Sequence, residues 1–192
     1  MKQSRAEAVV IGASAGGLDA LSAILPALPE GFPLAVLVVT HLPADKDNLM
    51  PALLQSKCGI EVREAEDKEP IRSGVAYFAP PDYHLLVEAD RHLSLSSEEP
   101  VQYSRPSIDV LFFSAADTYG DRVIGIILTG ANSDGAEGLR AIVDAGGTAL
   151  VQRPDLSYAS AMPTAALTAC PNAQALSLEE IVVYLLETSA AL

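Results

Sequence analysis

Cysteine is scarce in this chain. Cys58 and Cys170 stand far apart in a sequence of 192 residues. Neither lies in a C-x-x-C pair or a metal-like cluster, so both read as free, partly buried thiols and no metal site is expected from them. Positive charge is scarce too. Twelve Lys and Arg face 25 Asp and Glu, giving a formal charge of −13 and a pI near 4.4. That balance argues against nucleic acid and anionic membrane surfaces as partners. No apolar run reaches the roughly 18 residues that cross a bilayer, so no membrane insertion is expected. The N-terminus, Met1-Lys-Gln-Ser-Arg5, lacks the apolar core and cleavage site of a secretory signal, which points to the cytoplasm. Repeats, low-complexity tracts and linkers are missing as well. Residues 1–192 therefore read as a single domain, long enough to bury about 70% of its unfolded surface.

Apolar residues are plentiful, at 49%, with a mean hydropathy of +0.26. This fits an α/β protein whose sheet is covered on both faces. The organising stretch is residues 8–19. The β-branched run Val9-Val10-Ile11 reads as a buried parallel strand, and Gly12-Ala13-Ser14-Ala15-Gly16-Gly17 as a tight turn. A helix follows, with Leu18, Leu21, Ile24, Leu25 and Leu28 at helical spacing. The pattern Gly12-x-Ser14-x-Gly16 suits a nucleophile elbow, which projects a hydroxyl from the carboxyl edge of a sheet at the positive end of a helix. Two other roles compete at this point: Ser14 as a plain helix cap, and the glycines as a phosphate cradle. The spacing fits neither G-x-G-x-x-G nor a loop ending in Gly-Lys-Ser/Thr.

Along the chain, strands alternate with helices. The first helix is expected to end near Leu28-Pro29-Glu30-Gly31. Residues 34–40 read as a second buried strand, with His41 at its carboxyl end. A helix is expected to start at Asp45-Lys46-Asp47-Asn48 and to carry Leu49, Leu53 and Leu54. Residues 60–64 form a short strand. Residues 75–79 and 84–88 read as strands joined by Pro80-Pro81-Asp82-Tyr83, with 92–96 as a half-buried partner, an antiparallel excursion near 75–96. A helix beginning after Arg105-Pro106-Ser107 stops at Gly120. A third buried strand covers 123–128, and the loop 129–135 leads to a helix ending at Gly146-Gly147. A strand at 148–152 and helices near 160–169 and 178–189 complete the chain. The fold class is α/β, a doubly wound, mainly parallel, Rossmann-like three-layer sheet with an antiparallel hairpin.

Sites in such sheets lie beyond the carboxyl ends of the strands. Ser14, His41 and Asp134 all fall there, each after a different strand. They supply a nucleophile, a general base and an orienter for the imidazole. Each also has a plainer role. His41 fits a surface loop, and His84 and His92 are rival bases, though both lie in the hairpin region. Asp134-x-x-Glu137 fits a capping box for the helix that follows, with room for one carboxylate oxygen to cap while the other meets His41.

The residues resemble the catalytic domain of the chemotaxis-type protein-glutamate methylesterases (CheB-type) over nearly the whole chain. The markers are Ile11-Gly-Ala-Ser14-Ala-Gly-Gly17, Thr40-His41-Leu-Pro43, Tyr77-Phe-Ala-Pro-Pro-Asp-Tyr-His84-Leu, Arg105-Pro-Ser-Ile-Asp-Val-Leu-Phe112, Leu128-Thr-Gly130 with Asp134-Gly-Ala136, and Ala145-Gly-Gly147. By this resemblance Ser14, His41 and Asp134 match the family's triad. It implies hydrolysis of γ-glutamyl methyl esters on the cytoplasmic helices of methylated chemoreceptors, and in some members deamidation of receptor glutamines. Backbone N–H groups of Ala15 and Ala131 are the expected oxyanion donors, and no metal or organic cofactor is implied. The chain departs from the family in three places. Ala131-Asn132-Ser133 stands where many members have Met-Gly before the residue preceding Asp134. Ala161-Met162-Pro163-Thr164 replaces a more usual Gly-Met-Pro-Arg. Only about seven residues precede the first strand, where many members carry a phospho-receiver domain, so a stand-alone catalytic domain is expected. Three other readings keep most of the fold: a silent receptor- or partner-binding module, an esterase for another small ester, and a nucleotide-binding domain.

Overall fold

The structure is a computed structural model describing residues 6–41 and 48–191. Its strands are β1 (Ala8–Ala13), β2 (Ala35–Thr40), β3 (Glu61–Glu64), β4 (Val75–Phe78), β5 (His84–Val87), β6 (Leu93–Ser96), β7 (Val123–Ile127), β8 (Thr148–Gln152) and β9 (Gln174–Leu176). Seven of them form one sheet in the order β3-β4-β2-β1-β7-β8-β9, and every pairing is parallel. β5 and β6 pair antiparallel in a small separate sheet. The hairpin is therefore confined to 84–96. β4, grouped with it from the sequence, sits inside the parallel sheet between β3 and β2. A buried apolar run such as Val75-Ala-Tyr-Phe78 carries no mark of its partner, so pattern alone cannot assign it to one sheet or the other.

Among the described residues six helices cover the sheet: α1 (Gly17–Ile24), α2 (Met50–Gln55), α3 (Ile108–Tyr119), α4 (Ala136–Asp144), α5 (Ala161–Ala169) and α6 (Leu178–Ala190). α1 gives way to a short 3-10 turn over Leu25–Ala27, close to the expected end. The helix expected from Asp45 begins at Met50; Asp45–Asp47 lie outside the described residues. β9, three partly exposed residues at the sheet edge, went unnoticed in the sequence because nothing in Gln-Ala-Leu marks a strand.

Strand geometry sends successive side chains to opposite faces, and the two cores follow that alternation. Val10, Leu37 and Val39 pack on one side with Leu111 and Phe112 of α3, Leu139 and Ile142 of α4 and Met162 of α5. Val9, Ile11, Val36 and Val38 pack on the other with Leu21 and Ile24 of α1 and Ile181 and Leu185 of α6. These side chains are almost wholly buried, each worth about 1.5–3 kcal/mol in transfer from water.

The chain runs outward from β1 on one side as β2 to β4, then returns to lay β7 against the other side of β1. The boundary between β1 and β7 is the switch point of the winding. Loops leaving the two strands there diverge to opposite faces and open a crevice at their carboxyl ends.

Candidate active site

β1 ends at this crevice, and Ser14 is the next residue. Its N–H donates to Thr129 O (2.9 Å) and its carbonyl accepts from Gly17 N–H (2.8 Å), so the backbone of the turn is held on both sides. Two glycines make the turn possible. Gly16, the residue preceding α1, has φ 81°, and a Cβ there would lie 2.7 Å from the Cβ of Tyr158. A methyl group on Gly12 would stand 2.4 Å from Ile108 Cγ2, so this glycine lets the first turn of α3 approach the strand. The Ser14 side chain does not cap α1, whose N-cap is Gly16 with no side-chain bond. The plain-cap role is therefore excluded.

Thr129, after β7, sews the turn to the opposite wall. Its hydroxyl donates to Ala15 O (2.8 Å) and accepts from Ala159 N–H (2.9 Å). Its own N–H donates to Gln152 Oε1 (2.9 Å).

His41 follows β2 directly, with its N–H 3.4 Å from Ala13 O. Its ring Nε2 lies 2.8 Å from Asp134 Oδ2. The two side chains are 14% and 1% exposed, a nearly dry ion-pair geometry on residues 93 positions apart. The structure thus brings His41 and Asp134 into contact at the switch point where the Ser14 turn ends. Among the described residues, the Ser14 hydroxyl forms no hydrogen bond to either ring nitrogen.

The sequence foresaw a capping role for Asp134 but on the wrong helix. α4 starts from Gly135 with no side-chain cap. Asp134 instead holds the start of α3: Oδ2 accepts from Ile108 N–H (2.7 Å), and Oδ1 from Asp109 N–H (3.0 Å) and the Ser107 hydroxyl (2.9 Å). Asp109 returns the favour on α4, with Oδ1 accepting from Gly138 N–H (2.7 Å). The two helices exchange carboxylates at their N-termini, where the orphan N–H groups and the macrodipole favour negative charge.

These carboxyls shift in opposite directions. Burial pushes Asp134 up, but the hydrogen bond from His41 and the N–H groups of Asp109 and Ile108 outweigh it and hold the carboxyl below its ordinary value. Asp134 is therefore a fixed anion beneath the imidazole. For Asp109 burial dominates; the Gly138 N–H opposes it only in part, the Asp134 charge adds to it, and the carboxyl rises to about 6.

His84 is no rival base. It is 2% exposed, with Nδ1 accepting from Ser107 N–H (3.1 Å) and Nε2 facing Glu99 O (3.1 Å), so the ring props up the residue that starts α3. His92 lies on the hairpin beside Asp90, its Nδ1 3.2 Å from a carboxylate oxygen. Ala15 and Ala131 sit in the loops that follow β1 and β7, and neither N–H has a partner among the described residues. Ser107, Asp109 and Asn132 were given no role at the site from the sequence, although Ser107 marks the expected helix start and Asn132 stands in one of the departures from the family. Only the Ser before an apolar run, Ser107-Ile108, carried a local signal, that of a helix start.

Residues 9–185 match the sequence profile of the CheB methylesterase family. The chain belongs to that family. The structure is similar to the crystal structure of the Thermotoga maritima CheB methylesterase catalytic domain, with a TM-score of 0.91 and 31% identity over 95% of this chain and 98% of that one. Among curated CheB relatives, a Leptospira interrogans protein, provisionally named protein-glutamate methylesterase/protein-glutamine glutaminase, is 50% identical over 91% of either chain. Protein-glutamate methylesterase/protein-glutamine glutaminase 1 of Rhodospirillum rubrum is 36% identical over 97% of this chain and 50% of its own length.

Proposed function

We propose that this CheB-family chain is a serine carboxylic-ester hydrolase that removes methyl groups from γ-glutamyl methyl esters of chemoreceptor cytoplasmic helices, and that it also deamidates receptor glutamines. Residues 1–192 act as one catalytic domain, in the cytoplasm, where those helices lie. The observation that carries this reading is the 2.8 Å contact between His41 and the buried Asp134 carboxylate, at the crevice where the Ser14 turn ends.

The chemistry follows from which ring nitrogen is taken. Asp134 accepts from Nε2–H, so Nδ1 is the nitrogen left to receive a proton. Ser14 Oγ attacks the ester carbonyl carbon while its proton passes to His41 Nδ1. The charge that develops on the carbonyl oxygen is met by the N–H groups of Ala15 and Ala131. The tetrahedral intermediate collapses, the C–O bond to methoxide breaks, and Nδ1 returns its proton so that methanol leaves. Water then attacks the acyl-serine with His41 again as base. Ser14 is regenerated and the product is a glutamate carboxylate. Glutamine follows the same path with ammonia as the leaving group. Asp134 stabilises the imidazolium in both halves, and base catalysis of this kind contributes on the order of 10²- to 10⁴-fold.

The test is methanol release from a methylated chemoreceptor fragment by wild type and by Ser14→Ala. Release by wild type alone is the expected result. Equal release by Ser14→Ala overturns the nucleophile, and no release by wild type overturns the substrate.

A further inference from the structure

Asn132 touches both members of the His41–Asp134 pair. Its Oδ1 accepts the backbone N–H of Asp134 at 3.0 Å, and its Nδ2 stands 3.1 Å from His41 Nδ1. The first contact fixes the orientation of the amide, because an N–H must be met by the oxygen, which turns the NH2 toward the ring. The other side of the ring fixes the tautomer. Asp134 is an anion and can only accept, so Nε2 carries the ring proton and Nδ1 its lone pair. The two assignments, made from opposite edges of the imidazole, agree: Asn132 donates a hydrogen bond to the Nδ1 lone pair.

An imidazole nitrogen has one in-plane lone pair and accepts one hydrogen along it. On the mechanism proposed above, this is the lone pair that takes the Ser14 proton. It is occupied by the amide, while the Ser14 hydroxyl makes no hydrogen bond to the ring among the described residues.

We propose that Asn132 is a latch on the general base, a positioning residue that holds His41 in its resting tautomer and withholds Nδ1 from Ser14 until the amide swings aside. This rests on the Ser14–His41–Asp134 reading. Asn132 is exposed, so its side chain can turn outward without disturbing the core. Nδ1 is the only ring position it covers, so Asp134 keeps its hold on Nε2 while the latch opens.

Two variants separate the latch from a structural role. Asn132→Ala removes the donor to Nδ1 and also the acceptor for Asp134 N–H. Asn132→Asp keeps that acceptor but sets a carboxylate oxygen against Nδ1, which draws a proton there and fills the lone pair. The latch therefore makes the alanine variant faster and the aspartate variant slower than wild type. A merely structural Asn132, valued for its bond to Asp134 N–H, gives the reverse order.

The readout is the rate at which a small fluorophosphonate labels Ser14. In that step Oγ bonds to phosphorus, the P–F bond breaks, fluoride leaves with its electron pair, and the Ser14 proton passes to Nδ1. The probe contains no glutamyl ester and reports the serine–histidine couple whatever the natural substrate is. Releasing one exposed hydrogen bond is expected to speed labelling of Asn132→Ala about 2- to 10-fold. Asn132→Asp is expected to fall below wild type, with thermal unfolding showing both variants folded. Labelling of Asn132→Ala no faster than wild type, including no labelling of either, overturns the latch. So does an Asn132→Asp protein that matches or exceeds wild type. Wild type that labels at Ser14 yet releases no methanol overturns the methyl-ester reading instead, and the order of the two variants still decides the latch.

Discussion

Ser14 and Asp134 follow neighbouring strands, β1 and β7, yet they are held in different ways. Ser14 is placed by main chain: a turn pinned to Thr129, a left-handed glycine, and a strand glycine that admits α3. Among the described residues its hydroxyl makes no hydrogen bond that holds the fold. Asp134 is placed by its own carboxylate, which accepts from two backbone N–H groups, a serine hydroxyl and an imidazole. The serine end therefore separates function from stability, and the aspartate end joins them. A residue of the first kind can be replaced without loss of stability; one of the second kind cannot.

The largest effect tests the serine end. Ser14→Ala is expected to abolish turnover, a loss of about 10⁴-fold or more, with the melting temperature unchanged. His41→Ala is expected to lose as much activity, because a triad fails as a unit. A Ser14→Ala protein that unfolds readily would show that the hydroxyl supports the turn after all. At the aspartate end, Asp134→Asn is expected to cost less activity than either, about 10²- to 10³-fold, but to destabilise the domain by about 3 kcal/mol. Whichever way the new amide turns, its NH2 meets groups that are themselves donors. Assays paired with denaturant titration check both halves. An Asp134→Asn protein as stable as wild type breaks the contrast.

How much of this was visible in the sequence follows the same division. The Ser14 turn was legible because its causes are local: a β-branched run, glycines two residues either side, and an amphipathic helix directly after. The strand ends that carry His41 and Asp134 were legible for the same reason. The partners of Asp134 were not. They lie 25–27 residues upstream at the start of α3, whereas Glu137 three residues on offered a ready local alternative. Local spacing favours the nearest helix; topology placed α3 and α4 side by side and let each cap the other. The role of His84 was equally hidden: its place in the hairpin region counted against it as a base, but only burial beneath Ser107 marks it as a propping imidazole.

A smaller effect probes the backbone at the serine end. Gly16→Ala forces a left-handed φ on a residue with a Cβ and drives that Cβ toward Tyr158. The expected loss is about 1–3 kcal/mol, with turnover reduced through displacement of the neighbouring Ser14. Unfolding and methanol-release assays on the one variant check it. Unchanged stability and turnover would show that the turn tolerates what its geometry forbids.

The smallest effect sharpens the aspartate end by comparing its two exchanged carboxylates. Asp134, held below its ordinary value, stabilises the fold above the usual carboxylate range and loses that contribution as pH falls. Asp109 has the opposite sign. Its folded value, about 6, lies above the ordinary 3.8, so the unfolded chain ionises first and the fold loses stability as pH rises between them. Asp109→Asn removes that liability while keeping an oxygen for Gly138 N–H, and Gln102, now bonded to Asp109 Oδ2, can turn its amide to meet the new NH2. The stability difference between variant and wild type is expected to move in favour of the variant by about 1.4 kcal/mol from about pH 5 to about pH 7.5. Denaturant titrations at the two pH values measure it directly. A difference that does not change with pH would mean that Asp109 ionises as an ordinary carboxylate, and that the exchange between α3 and α4 is symmetric in charge as well as in geometry.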